Sequence, residues 1–247
     1  MDSNRRFLSL KPVLGLVMIL TAVPVKVQAA EVEGTVQLSG PIPAPEIMAI
    51  ESKKGNHSTE GCGSLKKASQ KLLVDPMGGI RNAVVWLDLP RETPTSKAVL
   101  LDQKECVFSP HVVVVPPGTQ VVIRNSDAVL HNIRIFEEGK PAMLMHKWQK
   151  PQGSDPWRFD APGRYIVRCG VHPWMYAWVV VLSGTGSVTS PEGRFTIPNV
   201  PPGRYGLHVW HETLGTRQIP MTIGEGKEIL NPIRMSRAKN SDEEISR

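Results

Sequence analysis

The sequence predicts an all-β chain made of two β-sandwiches, and three observations carry that reading. Short runs rich in Val and Ile recur along the chain, each bounded by Pro, Gly, Asn or Asp, which is the pattern of antiparallel strands. Beyond an N-terminal leader, no segment sustains a 3.6-residue apolar period, so no long amphipathic helix is expected. A Pro-Gly turn also directly precedes a strand three times, at Pro117-Gly118, Pro162-Gly163 and Pro202-Gly203, as in a type II turn whose glycine supplies positive φ. That is more strand entries than one small sandwich needs.

The leader, residues 1–29, reads as an export signal. Arg5, Arg6 and Lys11 form a positive start, 13–23 is an apolar run, and Val27-Gln28-Ala29 offers small residues for cleavage, so the mature chain is expected to begin near Ala30 in the periplasm. The run falls short of the roughly 20 apolar residues of a transmembrane helix, and no such span is expected. Arg5-Arg6-Phe7-Leu8 loosely resembles a twin-arginine signal, although ordinary secretory leaders carry paired arginines too. Four cations and Asp2 in this leader account for half of the net charge of +6. A nucleic-acid partner therefore loses its electrostatic support.

In chain order, strands are expected at 33–39, 71–74, 83–89, 111–115, 120–125 and 131–136, then at 157–159, 164–169 and 177–182, and finally at 187–189, 194–197, 204–211, 217–223 and 228–234. Two long loops separate them, 52–69 and 137–156, and a polar tail, 236–247, closes the chain. The division predicted is 30–96, 97–182 and 183–235. The three cysteines, Cys62, Cys106 and Cys169, are an odd count, which in an oxidising compartment suggests one disulfide and one thiol spared from it. A Cys62–Cys106 bond would spare Cys169; another pairing, or three buried thiols, stays open at this point.

Chemistry concentrates in Cys169-Gly170-Val171-His172-Pro173-Trp174-Met175. A thiolate, an imidazole and a thioether fall in one tight loop after a strand, and a second imidazole, His131, opens an earlier strand. Soft sulfur favours reduced copper, imidazole suits both oxidation states, and two His with one Cys and a long Met bond change shape little on electron transfer.

On these residues, 97–182 resembles the cupredoxins, most closely the amicyanin group and more distantly plastocyanin and pseudoazurin. The resemblance rests on Pro117-Gly118, Asn125, His131-Asn132, Pro162-Gly163-Arg164-Tyr165 and the Cys169 to Met175 loop, all in the family's order. It implies a Greek-key β-sandwich holding one type 1 copper, with His131, Cys169 and His172 as equatorial ligands and Met175 as the axial one. Asn132 would be the neighbour whose side chain steadies the two ligand loops. A redox partner, a periplasmic dehydrogenase or a cytochrome, is implied in turn.

The stretch from Thr189 to Tyr205 resembles the carboxypeptidase-regulatory-like domain, a prealbumin-like β-sandwich. That family's opening strand and Gly-Pro turn occur far upstream, at Gly34-Thr35-Val36 and Gly40-Pro41, with a further strand at 82–87. The cupredoxin segment is therefore expected to be inserted into this sandwich or to pack between its halves; alternatively 31–96 adds strands to the cupredoxin. The arrangement resembles bacterial proteins labelled methylamine-utilisation proteins, a label that implies little about substrate.

The sequence contains no Gly-x-Ser-x-Gly elbow, His-Glu-x-x-His pair or phosphate loop, and a carrier rather than an enzyme is expected. Two other classes stay open: copper storage or delivery, and an envelope or carbohydrate-binding module with structural copper, in which Trp210 would stack on a sugar. Among other residues, His111 is expected half-exposed at a strand start, with a place near the metal or at a second site as the alternative; Met143, Met145 and His146 are expected to cover the core from a flexible loop, with a second, reduced copper as the alternative; and His208 and His211 are expected to face opposite ways. His57 stands alone. Pro173 and the aromatics Trp174, Tyr176 and Trp178 around a partly exposed His172 would either form a docking patch or pack inward.

Overall fold

The structure is a computed structural model that describes residues 28–49, 61–63, 66–89 and 97–237. The leader to residue 27, most of the 52–69 loop with His57, and the tail from 238 lie outside the described residues. Nineteen strands make up the described fold. They are β1 (Ala30–Leu38), β2 (Ile47–Ala49), β3 (Lys66–Ala68), β4 (Val84–Leu87), β5 (Val99–Lys104), β6 (Val107–Ser109), β7 (Val112–Val115), β8 (Thr119–Asn125), β9 (His131–Glu137) and β10 (Met143–Gln149). There follow β11 (Ser154–Phe159), β12 (Gly163–Cys169), β13 (Tyr176–Val181), β14 (Thr185–Val188), β15 (Arg194–Val200), β16 (Gly203–His211), β17 (Gly215–Ile223), β18 (Lys227–Ile229) and β19 (Ile233–Met235). Among the described residues no helix is long and apolar enough to cross a membrane.

Four sheets stack in layers. One outer sheet runs β15-β1-β18, with β19 also paired to β1, and it shares a core with the sheet β14-β4-β16-β17 that includes Val32, Val36, Val85, Leu87, Phe195 and Val209. On the other side, β10-β9-β12-β13-β7 and β11-β8-β5-β6 enclose a core that includes Leu101, Phe108, Ile123, Ile135, Val167 and Val179. A third apolar layer, Val84, Val112, Ile166, Trp178, Val180, Leu182 and Trp210, joins the two middle sheets back to back. Fully covering an aliphatic or aromatic side chain contributes roughly 1.5–3 kcal/mol, so this junction is a core in its own right.

The layering explains the sequence of the middle strands. Along β13, Ala177, Val179 and Val181 enter the core shared with β11-β8-β5-β6, whereas Trp178, Val180 and the following Leu182 enter the junction. A strand covered on both faces needs an apolar residue at every position, and Tyr-Ala-Trp-Val-Val-Val is such a run. The same holds for Val112–Val115.

Four expectations are corrected. The strand at 71–74 reduces to a single bridge from Val74 to Ile80, because Asp75 Oδ1 accepts from the Met77 and Gly79 backbone N–H groups and reverses the chain. The strand at 228–234 divides into β18 and β19, which pair with successive stretches of β1 on either side of Pro232, a residue with no N–H to give. The loop 137–156 is largely β10 and the start of β11; β10 sits at a sheet edge with mostly exposed side chains, so it lacks the apolar run that marks a strand. The 52–69 loop gives way at its end to β3, paired with β2, and β5 and β6 were likewise not anticipated.

Candidate metal centre

The sheet register brings three of the predicted ligands together. β9 and β12 pair antiparallel with Ile133 opposite Cys169, so His131 at the start of β9 and Cys169 at the end of β12 emerge at the same end. The chain then makes a tight loop: Met175 N–H donates to His172 O at 2.9 Å, and Cys169 N–H donates to Met175 O at 3.0 Å. The loop is tied to β9 by Gly170 N–H, which donates to Asn132 O at 2.8 Å. Only glycine fits at 170, since a Cβ there would lie 2.3 Å from Asn132 Oδ1 and 2.6 Å from Arg134 Nε.

Three atoms that could hold a metal ion face one another. Cys169 Sγ lies 3.6 Å from His131 Nδ1 and 3.7 Å from His172 Nδ1, and the two nitrogens are 3.0 Å apart. Metal bonds of about 2.0 Å to nitrogen and about 2.3 Å to sulfur fit a triangle of this size. Met175, the remaining predicted ligand, is buried at 1% exposure in the same core. His131, Cys169 and His172 are exposed by 0, 4 and 1% respectively, so the centre is dry.

Electrostatics prepare the thiol. Burial would push the Cys169 thiol up, but hydrogen bonds with His131 and His172 and from the Asn132 backbone outweigh it and bring it down to about 5. Burial likewise opposes charge on His131, yet its contacts with Asp127 and Cys169 raise it above the ordinary imidazole range. Burial works against the Asp127 carboxylate too, and the His131 contact and backbone N–H donors still hold it low. These contacts favour the thiolate of Cys169, the form a metal would require.

Asp127 was missed in the sequence. Its carboxylate meets His131 Nε2 at 2.9 Å and accepts from Glu105 N–H at 2.5 Å and Cys106 N–H at 2.9 Å, which fixes the outer nitrogen of the ring and leaves Nδ1 facing the centre. Asn125 holds this turn, accepting from Asp127 N–H at 2.9 Å and donating to Val129 O at 2.8 Å. The turn signal Asn125-Ser126-Asp127 directly before a ligand strand was the clue available.

Cys62 and Cys106 are joined in a disulfide, both fully buried, and Cys169 is the free thiol. Cys62 Sγ lies 3.8 Å from His172 Nε2. Trp174 Nε1 donates to Cys106 O at 3.1 Å, and its ring centroid is 5.0 Å from that of His172. The disulfide therefore covers the edge of His172, and the expectation of a partly exposed His172 does not hold.

Several other expectations change. Asn132 ties the ligand loops through its backbone, donating to Cys169 Sγ at 3.5 Å and accepting from Gly170, while its side-chain oxygen accepts from Arg134 Nε at 2.9 Å. His111 is buried rather than half-exposed, with Nε2 bonded to Glu212 of the other sheet pair. Tyr176 OH and Trp178 Nε1 donate to the same carboxylate at 2.9 and 3.1 Å, so both aromatics turn toward the junction and not to a docking patch. Met143, Met145 and His146 lie on edge strand β10, Met143 exposed and Met145 packed on the core. Trp210 is 2% exposed against Trp178, with the Arg164 guanidinium over its ring, which removes it as a sugar platform. His208 contacts Asp88 at 2.7 Å and stacks on Trp86, and His211 is buried.

No protein-family model matches the chain, and no curated protein matches it. Among solved structures it is similar to a purple cupredoxin from Nitrosopumilus maritimus, at 25% identity over 35% of this chain and 100% of that one, TM-score 0.32. It is also similar to amicyanin from Paracoccus versutus, at 18% identity over 40% of this chain and 97% of that one, TM-score 0.32. A copper-containing nitrite reductase from Thermus scotoductus is a third, at 20% identity over 39% of this chain and 25% of that one, TM-score 0.33.

Proposed function

We propose that the protein is an exported electron carrier in which His131, Cys169 and His172, with Met175 as a weak fourth ligand, hold one copper ion. The observation that carries this reading is the closed triangle of two Nδ1 atoms and one thiolate sulfur in a dry core. Copper would supply the electron, cycling between its two oxidation states. The chain's own part is to keep the ligand geometry fixed through the change. Asp127 orients His131, the Gly170–Asn132 bond locks the loop to β9, and the surrounding sheets exclude water.

A carrier suits this donor set better than storage or delivery, because a thiolate with two anchored imidazoles and a thioether favours retention of the ion in both states. The export signal, the redox partner, and the reading of 97–182 as a cupredoxin unit inserted between the strands of a regulatory-like sandwich belong to the same proposal. The last is supported by the pairing of β1 with β15, β18 and β19, and of β4 with β14 and β16, across the intervening segment.

The test is the visible spectrum of the copper-loaded protein. A strong thiolate-to-copper charge-transfer band is expected, absent in Cys169→Ser. A colourless copper-loaded protein that takes zinc equally well at this site would sink the carrier reading in favour of a structural metal.

A further inference from the structure

The ligand histidine His172 presents two faces to two sulfur sources. Its Nδ1 meets Cys169, while its Nε2 meets Cys62 at 3.8 Å. Cys62 Sγ, Cys106 Sγ and a His172 nitrogen all lie within 4.8 Å of one another, as do the corresponding atoms of His131, Cys169 and His172. Two three-atom groups thus share one imidazole. A small cavity lies on the Cys106 side of this second group, with Ser69, Cys106, His111, Trp174 and Met175 in its walls.

We propose that, when the Cys62–Cys106 bond is reduced, the two thiolates and His172 Nε2 form a second site for copper(I), adjoining the first. The reductant is a dithiol, of the kind carried by a thiol–disulfide exchange protein. One of its thiolates attacks a sulfur of the pair, the Cys62–Cys106 bond breaks, and a mixed disulfide forms and is resolved by the second thiol. The reductant leaves as a disulfide, and two electrons and two protons arrive on Cys62 and Cys106. Copper(I) then displaces the two thiol protons to solvent and, where Nδ1 already holds the first ion, the His172 Nε2 proton as well, leaving a bridging imidazolate, and keeps its oxidation state.

Two thiolates and one imidazole form a soft donor set that selects copper(I). From there the ion needs to travel only across one imidazole ring to reach Cys169 and His131. Reoxidation of the pair removes both thiolates as ligands and restores the cover over His172. The second site is thus a place where the ion is received before it is held for electron transfer. The inference rests on the copper reading above for the identity of the metal, whereas the donor set stands on the geometry of Cys62, Cys106 and His172.

The experiment is anaerobic titration of the full chain with copper(I) against a chromophoric chelator, with the disulfide intact and after reduction by a phosphine. One equivalent is expected for the oxidised protein and two for the reduced one. The double variant Cys62→Ser/Cys106→Ser should bind one in either condition and keep the visible band on oxidation, which reports an intact first site. Reduced Cys169→Ser should still bind one. If the reduced wild type stops at one equivalent, or reduced Cys169→Ser binds none, the second site is overturned, whether or not the double variant folds. If the oxidised wild type binds none, it is the first site that fails, and reduced Cys169→Ser alone then decides the second.

Discussion

Replacing Glu212 by Ala tests how the two sheet pairs are held together. Its carboxylate is the shared partner of His111 Nε2, Tyr176 OH at 2.9 Å and Trp178 Nε1 at 3.1 Å, with only 10% of the side chain exposed. Burial comes first in pushing the Tyr176 phenol far above its ordinary range, and the Glu212 charge adds to it, so the phenol stays a donor at every accessible pH. Alanine leaves three donors at the junction without an acceptor. Each unsatisfied donor costs about 1–3 kcal/mol; taking the low end for partly wet groups, the loss is about 3–4 kcal/mol. With a urea dependence of about 2–3 kcal/mol per molar, the midpoint should fall by about 1–2 M. Glu212→Gln retains an acceptor and should lose roughly half as much. The measurement is urea unfolding followed by tryptophan fluorescence, with the visible band of the copper-loaded protein as a second probe. A Glu212→Ala midpoint within about 0.3 M of wild type, at a slope taken from the same relation, would refute the idea that this carboxylate anchors the junction.

Three further outcomes follow from the centre. In metal-free protein the Cys169 thiolate should form with a midpoint near 5, far below an ordinary thiol, as read by its ultraviolet absorption or by alkylation rate against pH; a midpoint near 9 would contradict the histidine contacts. Asp127→Asn removes the anionic partner of His131 and should lower copper affinity about 10- to 100-fold in a chelator competition, while Cys169 still gives a visible band. Gly170→Ala places a methyl 2.3 Å from Asn132 Oδ1 and should broaden or abolish that band, with far-ultraviolet circular dichroism unchanged.

The all-β reading and the residues that cluster at the candidate centre were legible because each has a local signature. Val112–Val115 and the β13 run declare strands by their apolar continuity, and Cys169, His172 and Met175 stand within one loop. What was not legible depends on tertiary placement. β10 carries Lys147, Trp148 and His146 on an exposed edge, so its sequence looks like a loop, and only its pairing with β9 makes it a strand. Asp127 is four residues from His131, but its role depends on Cys106 N–H arriving from another strand connection. His111 looked surface-bound because nothing in the sequence brings Glu212 to it. The disulfide over His172 is the same kind of case: an odd cysteine count says that one thiol is spared, and says nothing of which imidazole the bonded pair covers.

The placement of β1 also has a consequence for the order in which the molecule can be built. Its neighbours are β15, β18 and β19, with Ala30 opposite Val200 and Leu38 opposite Met235. As the chain is synthesised, its earliest strand therefore emerges with no partner, while β5 to β13 can close on one another first. Long-range pairing waits on loop closure, and an unpaired apolar strand is exposed to association in the interval. The run Glu31-Val32-Glu33-Gly34-Thr35 spaces its apolar residues with acids and a glycine, a composition that resists edge-to-edge pairing until the last strands arrive. A chain truncated before β18 would keep the sheets around Cys169 but leave β1 without its partners on one side, so the described residues from Lys227 onward act as the closing step of assembly for a segment laid down at its start.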